Sequence, residues 1–498
     1  MSAHPNDTRP SGRDETASAG DLLGAGTRVS GAGPERGGQG PAGSRTASAS
    51  QPEPIRSDPS PGILRWILHA VYDLTWLSVI LLGSPWVLWR CLRSPTFRRM
   101  AASRLGAGLP ERPRPGARAR VLVHGVSVGE VKAAQSVIAG LEARHPELEI
   151  IVSTTTDTGF EVAQKLYPEH RIVRFPIDVS FVVRRFLKRV APCAVVLLEL
   201  EVWPNFMRVA NRSGLPVAVV NGRITDKSYE SYQLFRRLLP QFSRISLVCV
   251  QDQEYERRFR GLGADPERML VTGNVKVDGL KFGREDPGAE LSRLLGGASE
   301  QMVFVAGSTH EPEERWVVDA WRRGAPDARL VLVPRHPGRA VEIERELAAA
   351  GCDVQLLTAM RAGEAPDPAR PAIVDTIGEL ERVYALADMV FVGGSLIPHG
   401  GQNMLEPAAQ GRPVVYGPHV RNFAQEATLL ERAGASVRVE DPEGLVETLR
   451  GWCAEPRELQ AMSNAGRAAV EAQKGATALT LDALEARCLA ACAARGEA

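Results

Sequence analysis

Hydrophobic residues along this chain follow two regimes. From Val121 onward, short apolar runs rich in β-branched residues alternate with segments whose apolar positions recur at helical spacing. VLVHGV, EIIVST, AVVLLEL, PVAVVN and LVCVQ predict buried strands in the first half. AAQSVIAGLEARH, FEVAQKLY, SFVVRRFLKRV and the segment after Trp203 predict the helices between them. In the second half MVFVAGS, RLVLVPR, AIVD, MVFVGGS and PVVYG predict strands, and EPEERWVVDAWRR, AVEIERELAAAG, LERVYALA and MLEPAAQG predict helices. Such alternation builds parallel, doubly wound sheets. It breaks near LVTGNVKVD and the Pro/Gly-rich stretch that follows, which predicts two α/β domains facing a cleft, 94–280 and 281–498.

The second regime is one continuous apolar stretch, Ile63 to Leu92. At roughly 1.5 Å per residue it is long enough to cross a bilayer. Arg65, His69 and Asp73 interrupt it, Pro85 breaks its far end, and Trp66, Trp76, Trp86 and Trp89 are of the kind that sit at headgroup level. It predicts a membrane-anchor helix over 63–93, spanning or half-inserted. Arg90, Arg93, Arg98, Arg99 and Arg104 follow, which places the downstream domains on the cytoplasmic side. Residues 1–62 are dominated by Gly, Pro, Ser, Ala, Arg and Asp with almost no aromatics. Such a segment buries too little surface to offset its ordering entropy, so it is expected to be a disordered tail, and it is too polar for a signal peptide.

Composition narrows the function classes. A net charge of +1 argues against a nucleic-acid binder. The seven cysteines show no CxxC pair and no metal-ligand spacing with His, so they read as reduced thiols in a cytosolic compartment, mostly core filler. HExxH, Walker A and acidic metal triads are missing from the sequence, which argues against metal hydrolysis and P-loop chemistry.

Chemistry-bearing residues gather at predicted strand ends, where open α/β sheets bind ligands. VLVHGVSVGE runs from a strand through a Gly/Ser turn into a helix, and Glu130 sits at that helix start over the cleft. Ser127, Thr155, Thr156, Glu199, Glu201 and Arg223 occupy matching positions in the first half. Glu199 and Glu201 alternate on a strand end, so both would face one side, and two acids beside Trp203 are costly to bury without purpose. In the second half Gly307–His310, Pro334–Pro337, Asp375–Glu379 and Gly393–Ser395 end successive strands and face one crevice. Gly-rich turns there offer N–H groups to phosphate, and Arg335 adds a planar fork. Asn403 and Glu406 share a helical face, with Glu406 placed to accept from ribose hydroxyls. These turns and that pair point to a nucleotide-sugar site on a two-sheet architecture of the kind that GT-B glycosyltransferases share with a few epimerases.

In order and spacing, VSVGE, STTTDTG, ELEVWPN, NGRIT, TGNVKVD, AGSTHEPEE, VPRHPGR, DTIGEL, VGGSLIPHGGQNMLEPAA and YGPHVRNF resemble the 3-deoxy-D-manno-octulosonic acid (Kdo) transferases of lipid A assembly. The resemblance runs from the anchor to about Glu426, more loosely beyond, and excludes the tail. It implies a GT-B fold with an N-terminal anchor at the inner membrane. It also implies transfer of Kdo from CMP-Kdo to a hydroxyl of a tetraacylated glucosamine-disaccharide lipid A precursor (lipid IVA), with a Glu base and neither metal nor other cofactor. On that match Glu130 is the base, and Pro334, Arg335, Ile377, Gly378, Glu379, Asn403, Met404, Leu405 and Glu406 are donor-binding positions. Gly125, Asp157, Leu200, Gln402 and Met404 depart from the residues usual in the family. The basic positions Arg184, Arg185, Lys188 and Arg189 are candidates for acceptor phosphates or simply a solvated helix face. Two rivals are a nucleotide-sugar 2-epimerase, which needs no anchor, and a non-catalytic tethered binder, which needs neither Glu130 nor the Glu199/Glu201 pair.

Overall fold

Two seven-stranded, wholly parallel sheets form the body of the protein, seen in a computed structural model that describes residues 63–490 and 492, apart from 115, 237–239, 285 and 298–299. The tail, 1–62, lies outside the described residues. The first sheet comprises β1 (Arg120–His124), β2 (Glu149–Thr154), β3 (Arg171–Arg174), β4 (Pro192–Leu198), β5 (Val217–Gly222), β6 (Leu247–Val250) and β7 (Met269–Val271), in the order β3-β2-β1-β4-β5-β6-β7. The second comprises β8 (Val303–Thr309), β9 (Arg329–Pro334), β10 (Gln355–Leu356), β11 (Ala372–Ile373), β12 (Met389–Val392), β13 (Val414–Tyr416) and β14 (Ser436–Arg438), in the order β10-β11-β9-β8-β12-β13-β14. Both are doubly wound, with the order reversing beside β1 and β8, so each sheet places its ligand-binding crevice at the loops after its central strands.

The central strands are near-continuous apolar runs because helices cover both faces. Every residue of β1, β4 and β9 is buried. The sequence pattern misses β3, β7, β10 and β14, four short strands toward the sheet margins. Edge strands have one unpaired side and few buried positions, so they carry little apolar signal.

The anchor segment forms a long helix, α1 (Ile63–Arg93), followed by α2 (Pro95–Arg104), whose N-cap Ser94 accepts from the Phe97 N–H at 3.2 Å. Over its apolar window α1 is almost entirely exposed to the surroundings.

Two expectations are corrected. Residues 281–498 do not form one domain, because Ala476, Leu481, Leu484, Cys488 and Leu489 return to the first sheet and pack with Val121, Val123 and Leu141. Asp278 fastens that return, accepting from Gly475 N at 2.7 Å and Thr477 N at 2.5 Å. Nor are all the cysteines thiols, since Cys193 at the start of β4 is disulfide-bonded to Cys492 across 299 residues of sequence. Chain spacing carries no trace of this pair, which exists only because the C-terminal helix folds back beneath β4.

Candidate active site

Glu130 is set by local geometry. β1 ends at His124, the chain turns through Gly125 and Val126, and Ser127 caps α3 (Val128–Arg144). A Cβ on Gly125 would meet the Glu130 Cβ at 3.1 Å, so a side chain there presses on the carboxylate's own stem. Glu130 Oε2 accepts from Val126 N at 2.7 Å and Oε1 from the Ser127 hydroxyl at 2.9 Å. This is a capping box, which satisfies helix-start donors and aims the carboxylate. Burial raises its pKa above the ordinary carboxylate value and the Glu199 charge adds to that, against the lowering effect of Val126 N–H, Ser127 and Lys276. A carboxylate that is both positioned and made more basic is suited to accept a proton.

Thr154 and Thr156 donate to the Val126 carbonyl, each at 3.0 Å, and Thr156 caps α4 (Asp157–Leu166) through Gly159 N. The threonine run thus buttresses the turn that carries Glu130. Thr155 lends its carbonyl to Arg174 at 3.3 Å.

The acid pair differs from its expected form. β4 stops at Leu198, Glu199 adopts φ 59°, and the two acids lie on a loop rather than alternating along a strand. Glu199 pairs with Lys276 at 2.7 Å, while Glu201 accepts from the Trp203 indole N–H at 2.8 Å. Burial pushes the Glu201 pKa up to about 7, with Glu130 and Glu199 adding to the rise. Both acids therefore remain electrostatic neighbours of Glu130.

Across the cleft, Pro334 ends β9 and Arg335 is exposed, with no side-chain hydrogen bond or ion pair among the described residues. Its guanidinium is near enough to His310 and Glu406 to act on both. Ile377 is 90 % exposed and Gly378 takes φ 91°, so this loop presents its backbone freely. The Glu379 carboxylate is already engaged by Arg361 at 2.9 Å and Arg382 at 3.3 Å. Asn403 Nδ2 donates to Glu406 Oε1 at 2.9 Å and its Oδ1 accepts from Leu405 N. Met404 and Leu405 belong to the core of the second sheet. Burial raises the Glu406 pKa, opposed by Asn403, by Lys132 of α3 and by Arg335.

The glycine turn after β12 corrects one expectation. Its N–H groups are not open to phosphate, because Glu313 takes Gly394 N at 2.7 Å and Ser395 N and Leu396 N at 3.0 Å, as well as His310 N at 3.0 Å. Glu313 is fully buried, and desolvation raises its pKa despite these donors. A Cβ on Gly393 would lie 2.5 Å from the Ser308 carbonyl, so glycine there serves close strand–loop approach.

Other residues were invisible as a group in the sequence. The His310 ring lies 4.1 Å from that of His399 between centroids, tilted by 38°, and meets the His336 ring edge-on at 6.2 Å. His310 Nδ1 contacts the Ser308 carbonyl and its Nε2 is buried without a partner. Arg223 crosses between domains, donating to the Asn422 carbonyl at 2.5 Å. It shares a cleft of about 270 Å³ with Lys276, His399, Asn403, Asn422 and Glu426, drawn from both halves of the chain. Glu130, Arg335 and Glu406 stand outside the lining of that cleft, while Lys276, which lines it, acts on Glu130 through its charge. The strand-end rule located each loop, but not which loops meet.

A family model described as "3-Deoxy-D-manno-octulosonic-acid transferase (kdotransferase)" matches residues 99–279. The chain is 34% identical to a 3-deoxy-D-manno-octulosonic acid transferase of Bordetella pertussis, over 85% of this chain and 98% of that one. It is 29% identical to the Haemophilus influenzae protein of the same description, over 79% and 92%. Among solved structures, a putative UDP-N-acetylglucosamine 2-epimerase from Listeria monocytogenes matches 71% of this chain and 94% of its own with a TM-score of 0.50 at 14% identity, a likeness of fold alone.

Proposed function

This chain belongs to the 3-deoxy-D-manno-octulosonic acid transferase family and is a glycosyltransferase of GT-B type, and we propose that it moves Kdo from CMP-Kdo to a hydroxyl of a tetraacylated glucosamine-disaccharide lipid A precursor, lipid IVA, releasing CMP. The observation that carries the residue assignment is the fixing of Glu130 at the start of α3, where Val126 N–H and the Ser127 hydroxyl hold a carboxylate of raised pKa.

In this reading the acceptor oxygen forms a bond to the anomeric carbon of Kdo as the bond from that carbon to the CMP phosphate oxygen breaks. The electron pair leaves with CMP, and the acceptor proton passes to Glu130. Arg335, with no side-chain hydrogen bond or ion pair among the described residues, neutralises the phosphate charge that grows on the leaving group. Glu406, oriented by Asn403, accepts from the donor's ribose, and the backbone of Ile377 and Gly378 meets the nucleotide. Lys276 holds Glu199, and Trp203 holds Glu201, where the incoming sugar hydroxyl must approach, with Ser127, Thr155, Thr156 and Arg223 around them. The reaction needs no metal or other cofactor, since the guanidinium and the helix-start groups supply the charge stabilisation.

Because the acceptor is acylated, the enzyme works at a membrane surface, which we place at the cytoplasmic face of the inner membrane. The exposed apolar α1 and Arg90, Arg93, Arg98 and Arg99 support that placement. The test is to incubate the membrane-bound enzyme with CMP-Kdo and the tetraacyl disaccharide bisphosphate and weigh the lipid. A product heavier by one or more Kdo residues, with matching CMP, is expected. An unaltered lipid beside consumed CMP-Kdo refutes the acceptor.

A further inference from the structure

A cavity of about 710 Å³ opens at the edge of the second sheet where its strands begin, beside Met302 before β8, Asp388 before β12 and Arg412 before β13. The donor loops leave the opposite ends of the same sheet, at His310, Arg335 and Gly393, and none of their residues lines this cavity. β8 runs between the two edges, seven residues or roughly 20 Å at about 3.3 Å per residue. The cavity is therefore separate from the donor crevice.

Three guanidinium groups converge on it from distant parts of the chain. Arg284 comes from the stretch joining the two sheets, Arg412 from the turn before β13, and Arg467 from the helix Pro456–Glu471. None of the three makes an ion pair among the described residues. Arg284 Nε and Arg412 Nη2 instead share one neutral acceptor, the Ala385 carbonyl, at 3.1 and 2.9 Å. Two cations on one carbonyl repel, and Arg412 is only 7 % exposed, so water screens that repulsion poorly. Arg412 Nε and Oε1 of the nearby Gln410 are buried without a partner. Burial and then the Arg284 charge lower the Arg412 pKa to about 10, with Asp388 opposing them. Two carboxylates stand against the three cations: Asp388, which already accepts from Val303 N at 2.9 Å, and Glu300, which is exposed to solvent. The lining keeps a net positive charge, and planar guanidinium forks match phosphate oxygens.

The other polar groups narrow the class of anion. Gln460 and Asn464 lie one turn apart on the helix Pro456–Glu471, and Gln460 Nε2 donates to Asn464 Oδ1 at 3.3 Å. That leaves Gln460 Oε1 and Asn464 Nδ2 to meet hydroxyls, one as acceptor and one as donor. No aromatic side chain lines the cavity, so nothing there is placed to stack on a nucleobase. Its volume lies within the ~300–1,000 Å³ of small-molecule sites and exceeds what a single phosphate fills.

We propose that this cavity is a second anion site, which takes a phosphorylated small molecule of sugar-phosphate class, its phosphate held by Arg284, Arg412 and Arg467 and its hydroxyls by Gln460 and Asn464. A phosphate held by all three arginines ties the stretch between the sheets to the helix Pro456–Glu471. Gly283 N, beside Arg284, is already fastened to the Ala409 carbonyl at 3.1 Å, so the stretch reaches the cavity in a fixed position.

The full-chain enzyme is titrated by calorimetry with glucose 6-phosphate, inorganic phosphate and glucose, each with and without saturating CMP. Glucose 6-phosphate should bind more tightly than inorganic phosphate, glucose should not bind, and CMP should displace neither anion. Arg284→Gln and Arg467→Gln change exposed side chains, and urea unfolding of each confirms that the fold is kept. Either variant should weaken glucose 6-phosphate by about ten- to a hundredfold, the loss of one charge-assisted hydrogen bond, and leave the CMP dissociation constant unaltered. Displacement by CMP would place the anion in the donor crevice and overturn the inference. So would the absence of glucose 6-phosphate binding, or binding that both folded variants retain in full. Inorganic phosphate binding as tightly as glucose 6-phosphate would overturn the assignment of the sugar-phosphate class.

Discussion

Replacing Glu130 with Gln is the sharpest test of the chemistry, because it separates basicity from shape. In the native protein the two carboxylate oxygens accept from Val126 N and the Ser127 hydroxyl. A Gln side chain can keep its oxygen on Val126 N–H and donate its amide to the Ser127 hydroxyl, which accepts as readily as it donates, so stability should change by no more than about 1 kcal/mol. The catalytic loss is larger. Removing a general base costs ~10²–10⁴-fold in turnover, or about 2.7–5.5 kcal/mol in the barrier. The two effects are read separately, by CMP release at saturating donor and acceptor, and by urea unfolding. CMP binding by calorimetry should be nearly unchanged, because Glu130 belongs to the opposite domain from Arg335 and Glu406. The pH profile adds a second signature. Only the ionised carboxylate accepts a proton, and burial raises the Glu130 pKa, so wild-type turnover should fall on acidification at a pH above the ordinary carboxylate range. A Gln variant with wild-type turnover, or one whose loss is matched by lost CMP affinity, refutes the assignment.

Glu201→Gln should stabilise the protein at pH 8 by about 1–3 kcal/mol, because a folded pKa of about 7 exceeds the unfolded value near 4.5; wild-type stability from this group is present below the unfolded pKa and lost as pH rises through 7. Melting temperatures of the two proteins should therefore converge near pH 4.5, and a gap that does not depend on pH counts against a buried, titrating Glu201. Arg335→Ala should weaken CMP binding by about 1.5–3 kcal/mol while leaving unfolding within ~0.5 kcal/mol, since its side chain has no hydrogen bond or ion pair among the described residues; an unaltered dissociation constant rules out the contact. Glu313→Ala orphans four backbone N–H groups, and a loss of about 3–5 kcal/mol in urea unfolding is expected. A change under ~1 kcal/mol would mean that the glycine turn holds itself without the carboxylate.

Much of the architecture is legible in the sequence because the strongest signals are local. A buried parallel strand must be apolar along its whole length, so β1, β4 and β8 announce themselves, and the turn that follows each marks where ligands bind. Glu130 is legible for the same reason, since its capping box is built within four residues of chain. Arg335 and the Asn403/Glu406 pair also stand on short-range pattern.

What needed the tertiary structure is everything set by partners distant in sequence. Gly393 to Leu396 read as an open phosphate turn, but Glu313, some eighty residues earlier, occupies its donors. Glu199 and Glu201 read as a pair on one strand, but Lys276, far along the chain, draws Glu199 into an ion pair. Cys193 and Cys492 meet only because a helix after the second sheet returns to the first. The apolar run at 63–92 has the length of a span, while Asp73 and Arg104 tie it to one segment of the catalytic body. Hydrophobic period reports how much of each segment is buried, and it is computed from neighbours in sequence. Which polar groups are already satisfied, and which remain free to meet a ligand, depends on contacts that exist only after the chain has folded.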